Sequence, residues 1–282
     1  MAERIAGPLH RVVIGPVGAP TMIFVHPNPM DHDAWIYQLA HLSTWFRCVA
    51  VDLPGYGVSP AASPDVTLFD LAQACWEAAE EGPAILVGCS VGANVVQHMY
   101  HLDRDRTRAV VLAGAGYAAA KPHLQRHIDA YESQGLAYRH EYTLNVFSPS
   151  FRSSPLARWF AEMFVERNAT ADVASILAMF RALIQPDPEW LARYLNAPVL
   201  IITGSEDSAH QRAFALRDRL SRWRARDNGR RRPRLPGRKA VGVRPAPAGL
   251  PGPPRHRGRG HEVTVRRSGR IGTVLTTCVK DR

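Results

Sequence analysis

The sequence predicts an α/β protein: a mostly parallel sheet flanked by helices, with a helical cap inserted late in the chain. Three observations carry this expectation. Short apolar runs alternate with helix-like segments up to about residue 116 and resume near residue 198, the pattern of strands buried on both faces. Between Gly116 and Ala197 only helix-like segments occur, with aromatics such as Tyr131, Tyr138, Phe147, Trp159, Phe164 and Phe180. Finally, Gly88-Cys89-Ser90-Val91-Gly92 sits between an apolar run and a helix-like stretch, as a sharp strand-to-helix turn requires, because glycines two residues either side of the apex let the backbones crowd together.

The elements follow in order. Met22-Ile23-Phe24-Val25 reads as a buried strand ending at the loop His26-Pro27-Asn28-Pro29, and residues 31–42 are helix-like. Cys48-Val49-Ala50-Val51 is the next strand, ending in the turn-rich Asp52-Leu53-Pro54-Gly55-Tyr56-Gly57-Val58-Ser59. Leu68, Leu71, Ala72, Cys75 and Ala79 lie near helical spacing within residues 67–80, with Thr67 as N-cap. Strands are expected at Ala84-Ile85-Leu86-Val87, Ala109-Val110-Val111-Leu112 and Pro198-Val199-Leu200-Ile201-Ile202, with a helix from Ala93 to Leu102. The chain thus divides into a core, residues 1–116 and 198–220; a helical cap, residues 117–197; and a tail, residues 221–282. Such an insertion lies where it can cover the C-terminal ends of the strands, the place at which open α/β sheets bind ligands.

The turn makes Ser90 a candidate nucleophile. A serine hydroxyl is a poor nucleophile at neutral pH and needs a base, an acid to orient it, and donors for the oxyanion. Thr203-Gly204-Ser205-Glu206-Asp207 follows a late strand and nominates Asp207 as the acid, ahead of Glu206. The backbone N–H of Val91 is one expected oxyanion donor, and Asn28 in the first loop supplies the other. His26, upstream of Ser90 at a strand end, reads as a structural or pocket-lining histidine.

From about Met22 to Arg219 the chain resembles the α/β-hydrolase superfamily. His26-Pro27-Asn28-Pro29 is similar to its H-G-x-P oxyanion loop, with Pro27 where glycine is usual; the segment from Asp52 to Ser59 is similar to its D-x-P-G-x-G-x-S; Ser90 matches the elbow and Asp207 the acid of G-x-x-D. The resemblance implies an eight-stranded, mostly parallel sheet with a helical cap and cofactor-independent hydrolysis of a small molecule through an acyl-serine intermediate. Serine at the elbow argues against the dehalogenase and epoxide-hydrolase branches.

The resemblance also implies a further strand and a Gly-His some 25 to 30 residues after the acid, and the chain has neither. Its net charge of +10 is confined to that region: the balance is −5 through Arg219 and +15 from Leu220 onward. One reading is a disordered basic extension. Another is a tail that binds nucleic acid or other acidic partners, against which stands Trp223 as the tail's only aromatic, leaving no stacking platform. A third is a reading-frame shift near Leu220, since a GC-rich gene read out of frame yields mainly Arg, Pro, Gly and Ala. Shifted by one base, CGN-CGN-CCN-CGN codons for Arg231 to Arg234 permit Gly-His at positions 232 and 233, 26 positions after Asp207. In the chain as written, the remaining base candidate is His261 in Gly260-His261-Glu262.

Composition adds bounds. Cys48, Cys75, Cys89 and Cys278 lack C-x-x-C spacing, so neither a zinc site nor a disulfide framework is expected. No apolar run approaches the 18 to 20 residues of a membrane span, and a cytoplasmic protein acting on small molecules, with no membrane partner and no metal, is the expectation.

Overall fold

The computed structural model describes residues 4–115, 121–167, 169–185, 195–204, 206–207, 210–227 and 273–278. Its centre is a seven-stranded sheet in the order β1-β3-β2-β4-β5-β6-β7. The strands are β1 (Arg11–Ile14), β2 (Thr21–Val25), β3 (Arg47–Val51), β4 (Ala84–Cys89), β5 (Thr107–Ala113), β6 (Val199–Gly204) and β7 (Thr273–Cys278). β2 to β6 run parallel, while β1 pairs with β3 and β7 with β6 in the antiparallel sense. The eight strands implied by resemblance are seven among the described residues. The seventh comes from the tail, as does the end of the last helix. Thr273, Val274, Thr276 and Thr277, β-branched residues around Leu275, supply the strand propensity.

Alternation along the parallel strands explains why both faces are covered. Ile23, Val25, Val49, Val51, Leu86 and Val110 point into a large core shared with α2 (Leu68–Ala78) and α3 (Val91–Leu102). Met22, Phe24, Cys48, Ala50 and Val87 face the other way, onto Trp35 and onto Leu39 of α1 (Ile36–Leu42). The helix expected over residues 31–42 is split: a 3-10 turn at His32–Trp35, capped by the Asp31 carboxylate, leads into α1. Thr67 caps α2 as expected, its Oγ1 accepting from Asp70 N while Asp70 Oδ2 accepts from Thr67 N at 2.8 Å.

Between β5 and β6 lie α4 (Lys121–Gln134), α5 (Ala137–Asn145), α6 (Pro149–Arg152), α7 (Pro155–Arg167) and α8 (Val173–Ile184); α9 (His210–Asp227) follows β6. α8 is tied to the core below, because Ser175 Oγ accepts from Ala62 N at 2.8 Å and Asp172 N donates to Gly55 O. Among the described residues no helix is long and apolar enough to cross a membrane.

Candidate active site

Ser90 stands between β4 and α3 with φ 52° and ψ −114°, the only non-glycine with positive φ among the described residues. That conformation is costly for a residue with a Cβ, and its neighbours hold it. Ser90 N donates to Ala113 O at 2.9 Å. A Cβ on Gly88 would fall 2.2 Å from Gly92 O, and one on Gly92 would fall 2.1 Å from Val25 O. Strand, turn and helix therefore interlock only because both positions are glycine. The Ser90 side chain is exposed at the apex, and Val91, the first residue of α3, presents its backbone N–H at a helix start where donors lack intrahelical partners.

Asp207 lies three residues beyond the end of β6, its N–H donating to Gly204 O at 3.2 Å. β5 and β6 pair in register up to Ala113 and Ile202, so this loop opens at the edge where Ser90 follows β4. The carboxylate leans toward the elbow: a Cβ on Gly114 would lie 3.3 Å from Asp207 Oδ2 and 3.8 Å from Cys89 Sγ. Burial and the charge of Asp207 push the Cys89 thiol up to about 12. Ser90 and Asp207 are thus gathered at one end of the sheet, with Glu206 exposed beside Ser150.

The loop after β2 packs against the same elbow, since Gly92 also abuts His26 O. Asn28 is buried on it, its Oδ1 accepting from the Tyr56 hydroxyl. Behind it, Arg139 of α5 is 1% exposed, donates through Nη2 to Pro29 O, and stands 5.4 Å from the centre of the Tyr56 ring. Sequence reasoning missed Arg139, Tyr56 and Tyr142 as neighbours of this loop. The signal available, one arginine in an aromatic helix, is indistinguishable from a solvated charge without knowing which face turns inward.

His26 does not line a pocket. It is completely buried, its Nδ1 donating to Pro27 O at 3.0 Å and its Nε2 accepting from Leu53 N at 2.9 Å. Both ring nitrogens are committed to backbone, so His26 braces the loop after β2 against the loop after β3. Burial lowers its pKa. Nearby, Asp52 accepts from His10 Nδ1 on one oxygen and from His32 Nδ1 on the other, both at 2.8 Å. The possible ligand atoms of this trio lie within 4.8 Å of one another, but both carboxylate oxygens already accept from ring nitrogens, and the arrangement is that of a self-contained hydrogen-bonded cluster.

His261 lies outside the described residues. β7 enters the sheet at Thr273, opposite Gly204, and leaves it at Cys278, opposite Val199. Its first residue therefore stands at the end of the sheet occupied by Ser90 and Asp207.

A mostly parallel sheet with a strained serine at a strand-to-helix elbow and an aspartate after a late strand is the arrangement of the alpha/beta hydrolases. Residues 22–265 match the alpha/beta hydrolase family, and the chain belongs to that family. It is 23% identical over 200 residues to (E)-2-((N-methylformamido)methylene)succinate hydrolase of Acinetobacter baylyi, covering 66% of this chain and 72% of that protein. It is 24% identical over 208 residues to 3-oxoadipate enol-lactonase 1 of the same organism, covering 68% and 73%. Among solved structures, the enol-lactonase from Burkholderia xenovorans superposes with a TM-score of 0.68 at 19% identity, over 76% of this chain and 86% of that one.

Proposed function

We propose that the protein is a serine hydrolase acting on an ester-like or other carbonyl-bearing small molecule through an acyl-serine intermediate. The single observation that carries this reading is the Ser90 backbone, held at φ 52° between Gly88 and Gly92. No packing requirement of a non-catalytic protein calls for a serine there, where glycine is unstrained.

In the proposed reaction Ser90 Oγ loses its proton to a histidine as it attacks the carbonyl carbon, and Asp207 orients that histidine and stabilises its positive charge. The developing oxyanion is held by the backbone N–H groups of Val91 and Asn28. Collapse expels the leaving group, which takes the proton from the histidine, and water then hydrolyses the acyl-serine by the reverse assistance. The family relationship supports the reaction class; the similar proteins named above are a hydrolase of a succinate derivative and an enol-lactonase.

For the chain as written the base is His261. Thr273 is twelve positions further along the chain, a tether that spans up to about 40 Å when extended, and the family match extends past His261 to residue 265. Because that segment replaces the expected Gly-His after the acid, turnover is expected to be weak. A reading-frame shift near Leu220 accounts for the same replacement and for the change in charge balance from −5 to +15 there. The coding DNA separates the two: an uninterrupted neighbouring frame encoding a strand and Gly-His supports the shift, and stop codons in it remove that explanation.

A fluorophosphonate probe tests the nucleophile. The expected result is labelling that disappears in Ser90→Ala; labelling that survives this substitution refutes the assignment. Turnover that is measurable, and abolished by His261→Ala, identifies the base.

A further inference from the structure

Resting on the hydrolase reading above, we propose that Arg139 of α5 is a positioning residue of the reaction: through two peptide groups of the loop after β2 it aims and polarises the Asn28 N–H toward the oxyanion. Pro27 and Pro29 carry no N–H, so Asn28 and Met30 supply the backbone donors between Pro27 and Met30. Met30 N donates to Pro27 O at 3.0 Å, closing this stretch into a turn. The Asn28 N–H is then the donor left to the reaction, on a loop that the elbow touches, since Gly92 abuts both Val25 O and His26 O.

The turn forms a relay. Arg139 Nη2 donates to Pro29 O, and that carbonyl belongs to the same peptide group as the Met30 N–H. Met30 N donates to Pro27 O, and that carbonyl belongs to the same peptide group as the Asn28 N–H. Both groups are trans, and a planar trans peptide points its C=O and its N–H in opposite directions. Holding Pro29 O therefore aims Met30 N–H at Pro27 O, and holding Pro27 O turns Asn28 N–H away from the turn. Pro27 O accepts from His26 Nδ1 as well, at 3.0 Å, which fixes that peptide plane from a second side. The Asn28 side chain is held too, its Oδ1 accepting from the Tyr56 hydroxyl, and the Tyr56 ring lies with its centre 5.4 Å from the Arg139 guanidinium.

The relay carries charge as well as direction. A carbonyl that accepts a hydrogen bond draws electron density onto its oxygen and leaves the N–H of its own peptide group more positive, and bonds in series polarise one another. The first bond comes from a permanently charged guanidinium and is charge-assisted. Every dipole from Arg139 to Asn28 then presents its positive end toward the place where negative charge develops, as oxyanion stabilisation requires. Arg139 is 1% exposed, so water does little to weaken the effect. Packing α5 on the loop does not by itself call for arginine: a guanidinium is costly to desolvate, and an apolar side chain of similar volume is commonly neutral or stabilising in such a place. Since α5 lies in the helical insertion between β5 and β6, the cap supplies the charged end of the oxyanion hole.

Two readings on the full chain test the relay. The first is fluorophosphonate labelling of Ser90 as a function of probe concentration. Arg139→Gln should lower the maximal labelling rate about tenfold to hundredfold, short of the roughly 10²–10³ lost when an oxyanion donor is itself removed, with the half-saturating probe concentration unchanged. Arg139→Lys, which restores a charged donor without the planar fork, should fall between the two. The second reading is the amide proton–nitrogen correlation spectrum, in which the Met30 and Asn28 signals should move upfield in Arg139→Gln and by less in Arg139→Lys. Thr143→Val is the control: Thr143 Oγ1 donates to Arg139 O at 2.8 Å on the same helix, so its loss disturbs α5 with the relay atoms intact and should move neither reading. Should Arg139→Gln fail to fold, Arg139→Lys decides by the same two readings. Wild-type rates and signals in the Arg139 variants, or equal changes in Thr143→Val, overturn the relay. The spectra separate the two claims: absence of labelling in the unsubstituted chain defeats the hydrolase reading, whereas Met30 and Asn28 signals unmoved by the Arg139 variants defeat the relay whether or not Ser90 reacts.

Discussion

Gly114 makes room for Asp207: a Cβ at the end of β5 would lie 3.3 Å from the carboxylate oxygen that leans toward the elbow. Gly114 also sits at φ +53°. Replacing it by alanine should therefore do two separable things. The backbone strain costs about 1–2 kcal/mol, read as a lower urea midpoint, and the displaced carboxylate slows probe labelling of Ser90 by more than that loss of stability accounts for. Labelling at the wild-type rate would mean that Asp207 does not work from this position.

The elbow stores strain in Ser90 itself. Ser90→Gly should stabilise the fold by about 1 kcal/mol, since glycine occupies this region without the penalty of a Cβ, while abolishing labelling. Thermal unfolding monitored by circular dichroism measures the first effect. A lower melting temperature in Ser90→Gly would contradict the stored strain.

Gly92 admits no such relief. A Cβ there would lie 2.1 Å from Val25 O and 2.9 Å from His26 O, both backbone atoms, so the overlap cannot be relieved by turning a side chain. Gly92→Ala should cost at least about 3 kcal/mol, the upper part of the range for overpacking, and yield little soluble protein. Expression of Gly92→Ala at wild-type stability would show that the elbow and the loop after β2 are less tightly joined than described.

The two buried histidines near Asp52 give stability a maximum in pH. Burial lowers the pKa of His26 below 6.5, so its contribution is full above 6.5 and is lost as pH falls through the lowered value. For His32 burial also opposes the charge, but the hydrogen bond to Asp52 and that carboxylate's charge outweigh it, and the pKa is raised above 6.5. Its contribution is full below 6.5 and is lost as pH rises through the raised value. The melting temperature should thus peak near pH 6.5. His26→Gln should flatten the acid limb and His32→Gln the alkaline limb; an acid limb unchanged in His26→Gln would dissociate it from His26.

Much of the central fold was legible because strands buried on both faces are written as uninterrupted apolar runs. Met22 to Val25, Cys48 to Val51 and Ala84 to Val87 fall within β2, β3 and β4. β1 was not read, although Val12-Val13-Ile14 is apolar, because the run is only three residues long and lies on an edge strand whose residues are exposed or partly buried. β7 was hidden for a different reason: the arginine and proline content around it masked the β-branched stretch from Thr273. At the site, Ser90 and Asp207 could be nominated because turn chemistry fixes glycine and acid at set offsets from strands. Arg139 was not, because its closeness to Pro29 joins residues 110 positions apart, and no local pattern encodes such a contact. Sequence alone leaves His26 either structural or pocket-lining, because position in the chain says where a histidine stands but not what its nitrogens bind; both bind backbone here.

The antiparallel entry of β7 also bears on how the protein can be handled. Every residue of β6 from Val199 to Gly204 is paired with β7 on that side. A version shortened after Asp227, the natural trim for removing a basic tail, would strip that partner and leave β6 as an open edge of apolar, β-branched residues, a template for joining other chains. Shortening should convert a monodisperse preparation into one that aggregates with increasing concentration, and light scattering of the two lengths would register it. The tail, on this account, acts as the sheet's selvedge.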